Sequence, residues 1–364
     1  MNRRDFLKTS GIGALAFAAS PRLEAVADAP AFAKGTEELP PTICDYEIVS
    51  NPKFKGRKCA SFFIDDTVWM LRDLARQRPK SIFDLPFLRM LREAHERYGL
   101  KLQCNLFYRM DFFYGMDEFT LAEVPDVYLK EWETASDWLK LGFHSLQEFP
   151  DYPWVNADYK DVEKCLRMIR DEVARFAGEK TFAQALVTHW CPMSKDGCLA
   201  VRDSGIKLLH CTVGKRYRYD GDASRLPYGH SFRLEQNRKP ETALFLRDCE
   251  DEAIKASLCA YNNLSDEQDA KTRRSFRYVV DRSTGLRLKH LTLDGPVLNL
   301  VDEKTLRANI AGMLGGEYLI FSNHEQYFYK DYLAYQPDYR DKVFALGEMM
   351  KANGYEFIFM EDIV

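Results

Sequence analysis

Nine cysteines are present in the 364 residues, but no two of them stand in a CxxC spacing. That absence excludes a zinc knuckle and a thioredoxin-like redox motif. No Walker loop occurs and no GxGxxG follows a strand-like run, so neither kind of nucleotide cradle is expected. A basic excess is missing too, since 51 Lys and Arg against 55 Asp and Glu leave a formal net charge of −4. That balance points away from nucleic acid as a partner. The apolar run at 11–19 falls short of the roughly 20 residues a bilayer span requires, so no stable membrane span is expected. What remains is a chain long enough to bury a large core, and an α/β barrel of ordinary size would use nearly all of it.

The N-terminus carries a different message. Asn2-Arg3-Arg4-Asp5-Phe6-Leu7-Lys8, followed by the weakly apolar 11–19 segment, resembles a twin-arginine export signal. Ala25-Val26-Ala27 is a small-residue cleavage site and Ala16-Phe17-Ala18 a second. Residues 1–27 therefore read as a signal peptide, the twin-arginine translocase as a transient partner, and the periplasm or exterior as the destination. Cys59, Cys104 and Cys211 lie in apolar runs and read as core thiols. The odd cysteine count leaves one or two disulfides open.

Short apolar runs alternate with amphipathic stretches along most of the chain. Cys59–Thr67, CASFFIDDT, is strand-like and ends abruptly in two carboxylates. Helical spacing follows over 82–98 and closes at Gly99, then come a strand at 100–107, a helix at 127–139 and a strand at 142–144. A helix at 158–176, a strand at 182–188, a helix at 195–203 and a strand at 206–212 continue the rhythm. From 215 to 300 it breaks: a hairpin is expected from 276–280 and 286–293 around Arg282-Ser283-Thr284-Gly285, in a β-rich insertion on the barrel rim. The alternation resumes with a helix at 303–314, a strand at 318–322, a helix at 338–353 and a strand at 356–360. This order predicts an α/β fold, a distorted (β/α)7–8 TIM-like barrel over 34–364.

Three strand ends carry chemistry: Asp65-Asp66, His144 to Glu148, and His324-Glu325. Adjacent carboxylates at a buried strand end need a cation or strong donors to offset them. His144 and Glu148, at i and i+4, share one face if that turn is helical and can then share an ion with Asp66. Phe63-Ile64-Asp65-Asp66 resembles the first motif of the NodB-homology polysaccharide deacetylases, and His144-Ser145-Leu146-Gln147-Glu148 the second. Trp190-Cys191-Pro192 with 195–205 is similar to the third motif region, and Phe321-Ser322-Asn323-His324 to the last. The resemblance implies metal-assisted removal of an acetyl group from a sugar. It implies Asp65 as general base, His324 as general acid, and Asp66, His144 and Glu148 as ligands of a divalent metal, with zinc the expected ion. Glu148 departs from the family's second His, and the family's third-motif Arg is missing, with His189 the nearest substitute. His189, Trp190, Glu325 and Tyr327 are the expected carbohydrate contacts, and His324 is expected to face Asp65 across the barrel mouth. Two other readings stand beside this one. One is a glycoside hydrolase pairing Asp65 or Asp66 with Glu325; the other is a carbohydrate-binding barrel without catalysis.

Overall fold

The computed structural model describes residues 46–110, 118–148, 153–154, 157–189, 193, 195–211, 270–290, 297–332 and 334–364. All of them belong to one compact unit, Leu39–Val364. The proposed signal segment, Trp190 and most of 215–300 lie outside the described residues.

The chain is mixed α/β with parallel strands and helices in alternation. In order it runs β1 (Tyr46–Ser50), β2 (Cys59–Thr67), α1 (Trp69–Gln77), α2 (Pro86–Tyr98), β3 (Leu102–Phe107), β4 (Arg109–Met110), β5 (Phe119–Thr120) and α3 (Leu129–Ala135). There follow β6 (Leu139–Ser145), α4 (Tyr159–Ala177), β7 (Ala185–Val187), α5 (Lys195–Asp203), β8 (Leu208–Cys211), β9 (Arg277–Asp281) and β10 (Arg287–His290). The last elements are α6 (Glu303–Ala311), β11 (Tyr318–His324), α7 (Tyr339–Ala352) and β12 (Glu356–Phe357). Local signals set the boundaries. Pro86 opens α2, where its missing N–H costs nothing, and Gly99 closes it in the left-handed conformation at φ 70°. Asp158 caps α4 by accepting the Asp161 N–H at 2.9 Å.

One sheet has the order β11-β2-β3-β6, all parallel, with β12 added alongside β2. The other has the order β1-β9-β10-β8-β7 and mixes parallel with antiparallel pairs. A parallel bridge between Leu141 and Phe182 joins them. Among the described residues no further strand pairing closes the two sheets into a barrel. All nine residues of β2 are buried, which requires cover on both faces. Two separate cores provide it, divided by the two-residue alternation of a strand. Ala60, Phe62 and Ile64 pack with Leu102, Leu141 and Phe321 and with the helices. Cys59 and Phe63 pack with Ala185, Val187, Leu208, Tyr318 and Ile320, with Ile358, Met360 and Ile363 beside them. A filled interior of this kind is what a curled sheet encloses.

Three expectations change. The hairpin around residues 282–285 forms, but it is built into the sheet: β10 pairs in parallel with β8, and β9 pairs with β1. β1 itself lies in a stretch that reads as a polar lead-in. The helix expected over 127–139 is shorter, because Leu139 already begins β6. Cys59, Cys104 and Cys165 are free, buried thiols, and Cys198 is buried. Among the described residues no helix is long and apolar enough to cross a membrane.

Candidate metal centre

Parallel strands leave their C-terminal ends on one side, and the titratable groups gather there. Asp65 and Asp66 end β2, His144 is near the end of β6, His189 follows β7, and His324 ends β11. A regular strand would send adjacent Asp65 and Asp66 to opposite faces. Two departures from regularity bring them together. The β2–β3 register shifts between Ile64 and Thr67, and Asp66 takes a left-handed φ of 57°. Non-glycine residues rarely adopt that conformation, and such local strain concentrates at functional sites.

His144 shows the result. Its Nε2 is 3.3 Å from Asp66 Oδ1 and its Nδ1 is 3.7 Å from Asp65 Oδ1. The third member is His189, whose Nδ1 lies 3.1 Å from His144 Nε2 and 3.4 Å from Asp66 Oδ1. All three residues are buried. The far side of each ring fixes its tautomer. His144 Nδ1 donates to the Val187 carbonyl at 2.8 Å, and His189 Nε2 donates to the Glu148 carbonyl at 2.9 Å. With neutral rings, the two facing nitrogens therefore present lone pairs to each other and to Asp66 Oδ1. That oxygen is buried and accepts no hydrogen bond.

Three lone pairs converging in a buried place call for a cation. Tetrahedral zinc bonds of about 2.0–2.1 Å set ligand atoms about 3.3–3.4 Å apart, close to the edges found here. Imidazole ligands whose other N–H goes to a backbone carbonyl are the usual support for such an ion. The residues present fit a divalent metal.

Charge follows the same geometry. Burial opposes ionisation of Asp66, yet the imidazoles of His324, His144 and His189 outweigh it and hold this carboxyl well below its usual range. Asp65 goes the other way: burial raises it, only partly offset by His144, His324 and the Asn105 amide. Burial also opposes charge on His144, but Asp65 and Asp66 prevail and raise it. Asp66 Oδ2 accepts from Gln326 Nε2 at 2.9 Å, which leaves Oδ1 for the trio. Phe107 packs against both rings, its centroid 5.5 Å from that of His144 and 4.9 Å from that of His189.

The remaining expected residues divide. His189, expected as a substrate contact, stands in the trio where Glu148 was expected. β6 ends at Ser145, so His144 and Glu148 do not share a helical turn, and Glu148 meets the trio through its backbone carbonyl, which accepts from His189. His324 sits beside Asp65 on the neighbouring strand, paired with it in register, rather than across the mouth. Its Nδ1 is 3.0 Å from Asn299 Oδ1 and its Nε2 3.9 Å from Asp66 Oδ2. Tyr327 is half-buried, its ring centroid 6.3 Å from that of His324. Glu325 is fully buried and turned away from this site. Its carboxylate accepts the N–H groups of Val68, Trp69 and Met70 at 2.6–2.8 Å and the Tyr329 hydroxyl at 2.9 Å. It thus caps the first turn of α1. Trp190 lies outside the described residues.

No family model matches the sequence, and no curated protein matches it. Among solved structures the chain is similar to a 4-alpha-glucanotransferase from Thermococcus litoralis, with a TM-score of 0.48 and 12% identity, covering 84% of this chain and 40% of that one. It is also similar to a peptidoglycan N-acetylglucosamine deacetylase, with a TM-score of 0.39 and 9% identity over 85% of this chain and 88% of that one. A family 4 acetyl xylan esterase from Clostridium thermocellum, solved with a cobalt ion, gives a TM-score of 0.37 and 11% identity over 84% and 90%.

Proposed function

We propose that the protein is a metal-dependent carbohydrate hydrolase that removes acetyl groups from a sugar or polysaccharide, as a divergent relative of the NodB-homology deacetylases its motifs resemble. The observation that carries this reading is the meeting of Asp66 Oδ1, His144 Nε2 and His189 Nδ1 at 3.1–3.4 Å, with Asp65 and His324 beside them. A divalent ion held by those three residues, zinc for preference, supplies Lewis-acid polarisation of the acyl carbonyl.

The protein's own groups supply the proton transfers. Asp65, raised by burial, accepts a proton from the attacking water. The water oxygen joins the acetyl carbon, the bond from that carbon to the sugar nitrogen or oxygen breaks, and acetate leaves. His324 protonates the departing sugar atom from Nε2, because Asn299 holds its Nδ1. The glycoside hydrolase reading needs Glu325 at the mouth, and the carboxylate of Glu325 is occupied by the N-terminus of α1.

Acetate release from N- and O-acetylated oligosaccharides, with and without a chelator, tests the reading. Chelator-sensitive release is expected. Metal binding without release from any acetylated saccharide would leave a carbohydrate-binding protein in its place. His324→Ala should lower turnover by about 10²–10⁴-fold, the usual size of an acid–base contribution, with metal content unchanged. Metal lost together with activity would make His324 a ligand, and full activity would remove it from the mechanism.

The proposal includes export, with residues 1–27 as the signal, 34–364 as the working unit and 215–300 as an insertion in it. Replacing Arg3 and Arg4 by Lys should hold the protein in the cytoplasm, as judged by fractionation. Undiminished export would sink the twin-arginine assignment.

A further inference from the structure

β3 carries two buried amides side by side on the interior face, Gln103 and Asn105. Neither belongs to the metal trio or to the motifs that drew attention in the sequence. Their hydrogen bonds form a chain whose direction is fixed at one end by the backbone. Gln103 Nε2 donates to the Ala185 carbonyl of β7 at 2.8 Å, so its amide nitrogen must lie on that side. The same nitrogen donates to Asn105 Oδ1 at 2.6 Å. With its oxygen thus engaged, Asn105 turns its Nδ2 outward and donates to Asp65 Oδ1 at 2.6 Å.

Gly142 on β6 makes room for this chain. A Cβ there would meet Gln103 Nε2 and would come within 2.8 Å of Asn105 Oδ1. Its backbone has no left-handed φ to explain a glycine. The close approach of the two amides explains it.

We infer that Asn105 is the positioning residue of Asp65. It is oriented by Gln103, admitted by Gly142, and dictates which carboxylate oxygen accepts a hydrogen bond from the protein and which is left to take a proton in the reaction. The inference rests on the proposed role of Asp65 as base. It adds a requirement for a donor, and not merely a shape, at position 105.

Two substitutions separate donor from shape. Asn105→Asp keeps the size of the side chain and an acceptor for Gln103, but sets a carboxylate oxygen against Asp65. Asn105→Ala removes both shape and donor. We expect kcat to fall at least 10-fold in both, with KM within about 2-fold and metal content unchanged, and a lower melting temperature for Asn105→Asp, whose buried carboxylate faces that of Asp65. An Asn105→Asp protein with wild-type kcat beside an impaired Asn105→Ala protein would reduce the residue to packing and overturn the inference. Crystal structures of the wild type and Asn105→Ala give a readout independent of activity. Rotation of the Asp65 carboxylate is expected, and an unmoved Asp65 would overturn the inference. If the wild type releases no acetate, the deacetylase reading fails while this structural comparison still decides the role of Asn105. Gly142→Ala should reproduce the loss of kcat. Gln103→Ala, which takes away the donor that orients Asn105, should lower kcat as well, and an unchanged kcat would count against the relay.

Discussion

Asp66→Asn protein should fold, lose its metal and lose about 10³-fold or more of its turnover. Asn has the same shape, tolerates the left-handed φ of 57° about as well as Asp, and still offers Gln326 an acceptor. Its effect is therefore confined to the charge at the point where three lone pairs meet. Lewis-acid stabilisation is worth several kcal/mol, and about 1.4 kcal/mol corresponds to each factor of ten. A thermodynamic signature accompanies the kinetic one. A ligand present at about 100 times its dissociation constant stabilises the folded state by about 2.7 kcal/mol. Added zinc should therefore raise the melting temperature of the wild type and leave that of Asp66→Asn unmoved. Elemental analysis of the same preparations decides between the two candidates for the third ligand. His189→Ala should lose the ion, whereas Glu148→Ala should keep it, because the Glu148 backbone carbonyl survives the substitution. Full metal occupancy in Asp66→Asn would refute the assignment of the centre.

Glu325→Ala should be the most destabilising single change near the site, at roughly 3–5 kcal/mol. It leaves three backbone N–H groups and the Tyr329 hydroxyl without their acceptor in a buried place, and each such orphan costs about 1–3 kcal/mol before relaxation. The loss of a helix cap is part of the same effect. Denaturant unfolding of wild type and variant measures it, and a difference below about 1 kcal/mol would deny Glu325 this role. A pH dependence follows from the same burial. Desolvation raises Glu325 from 4.5 to about 7 against the pull of its four donors. Between those values the folded protein keeps a proton that the unfolded chain has released, so stability falls as pH rises through that window. Glu325→Gln cannot titrate and lacks this slope. The stability gap between wild type and Glu325→Gln should therefore narrow from about pH 4.5 to about pH 7 and stay flat above it.

Much of this site is legible in the sequence because its residues end apolar strands. Asp65, Asp66, His144 and His324 could be picked out by that pattern alone. The differences between the expected and the observed arrangement have definite causes. Glu148 stands out over His189 by its i, i+4 spacing from His144, a rule that holds only on a helix, and the chain leaves β6 at Ser145. His189 follows Ala185–Val187 as another His just beyond a short apolar strand, a signal of the same kind as that of His144 and His324. Glu325 sits next to His324 and so reads as part of the site. β11 ends at His324, and Glu325 opens the short helical turn that follows, from which its carboxylate reaches the start of α1. Asp65 and Asp66 escape that alternation only through a register shift and a left-handed residue, neither of which has a sequence signature here. The α/β rhythm was readable from helix stops such as Gly99 and from the compact turn at Asp281, whose carboxylate binds Ser283 and Thr284. The edge strand β1 was not, because a half-exposed strand of five residues carries too few apolar positions to stand out.

The position of β2 bears on how the protein is made. One flank of this strand is completed by β11, and the start of the other by β12. The bond from Tyr318 to Ser61 closes a loop of 257 residues. Contacts at such separation are entropically slow to form. During synthesis β3 gives β2 an early neighbour on one flank, but the other flank waits for β11, more than 250 residues after β2. The centre that holds Asp66 is therefore complete only once β11 has joined β2. Arrested nascent chains ending before residue 318 should remain protease-sensitive across β2, whereas full-length chains released from the ribosome should become resistant there.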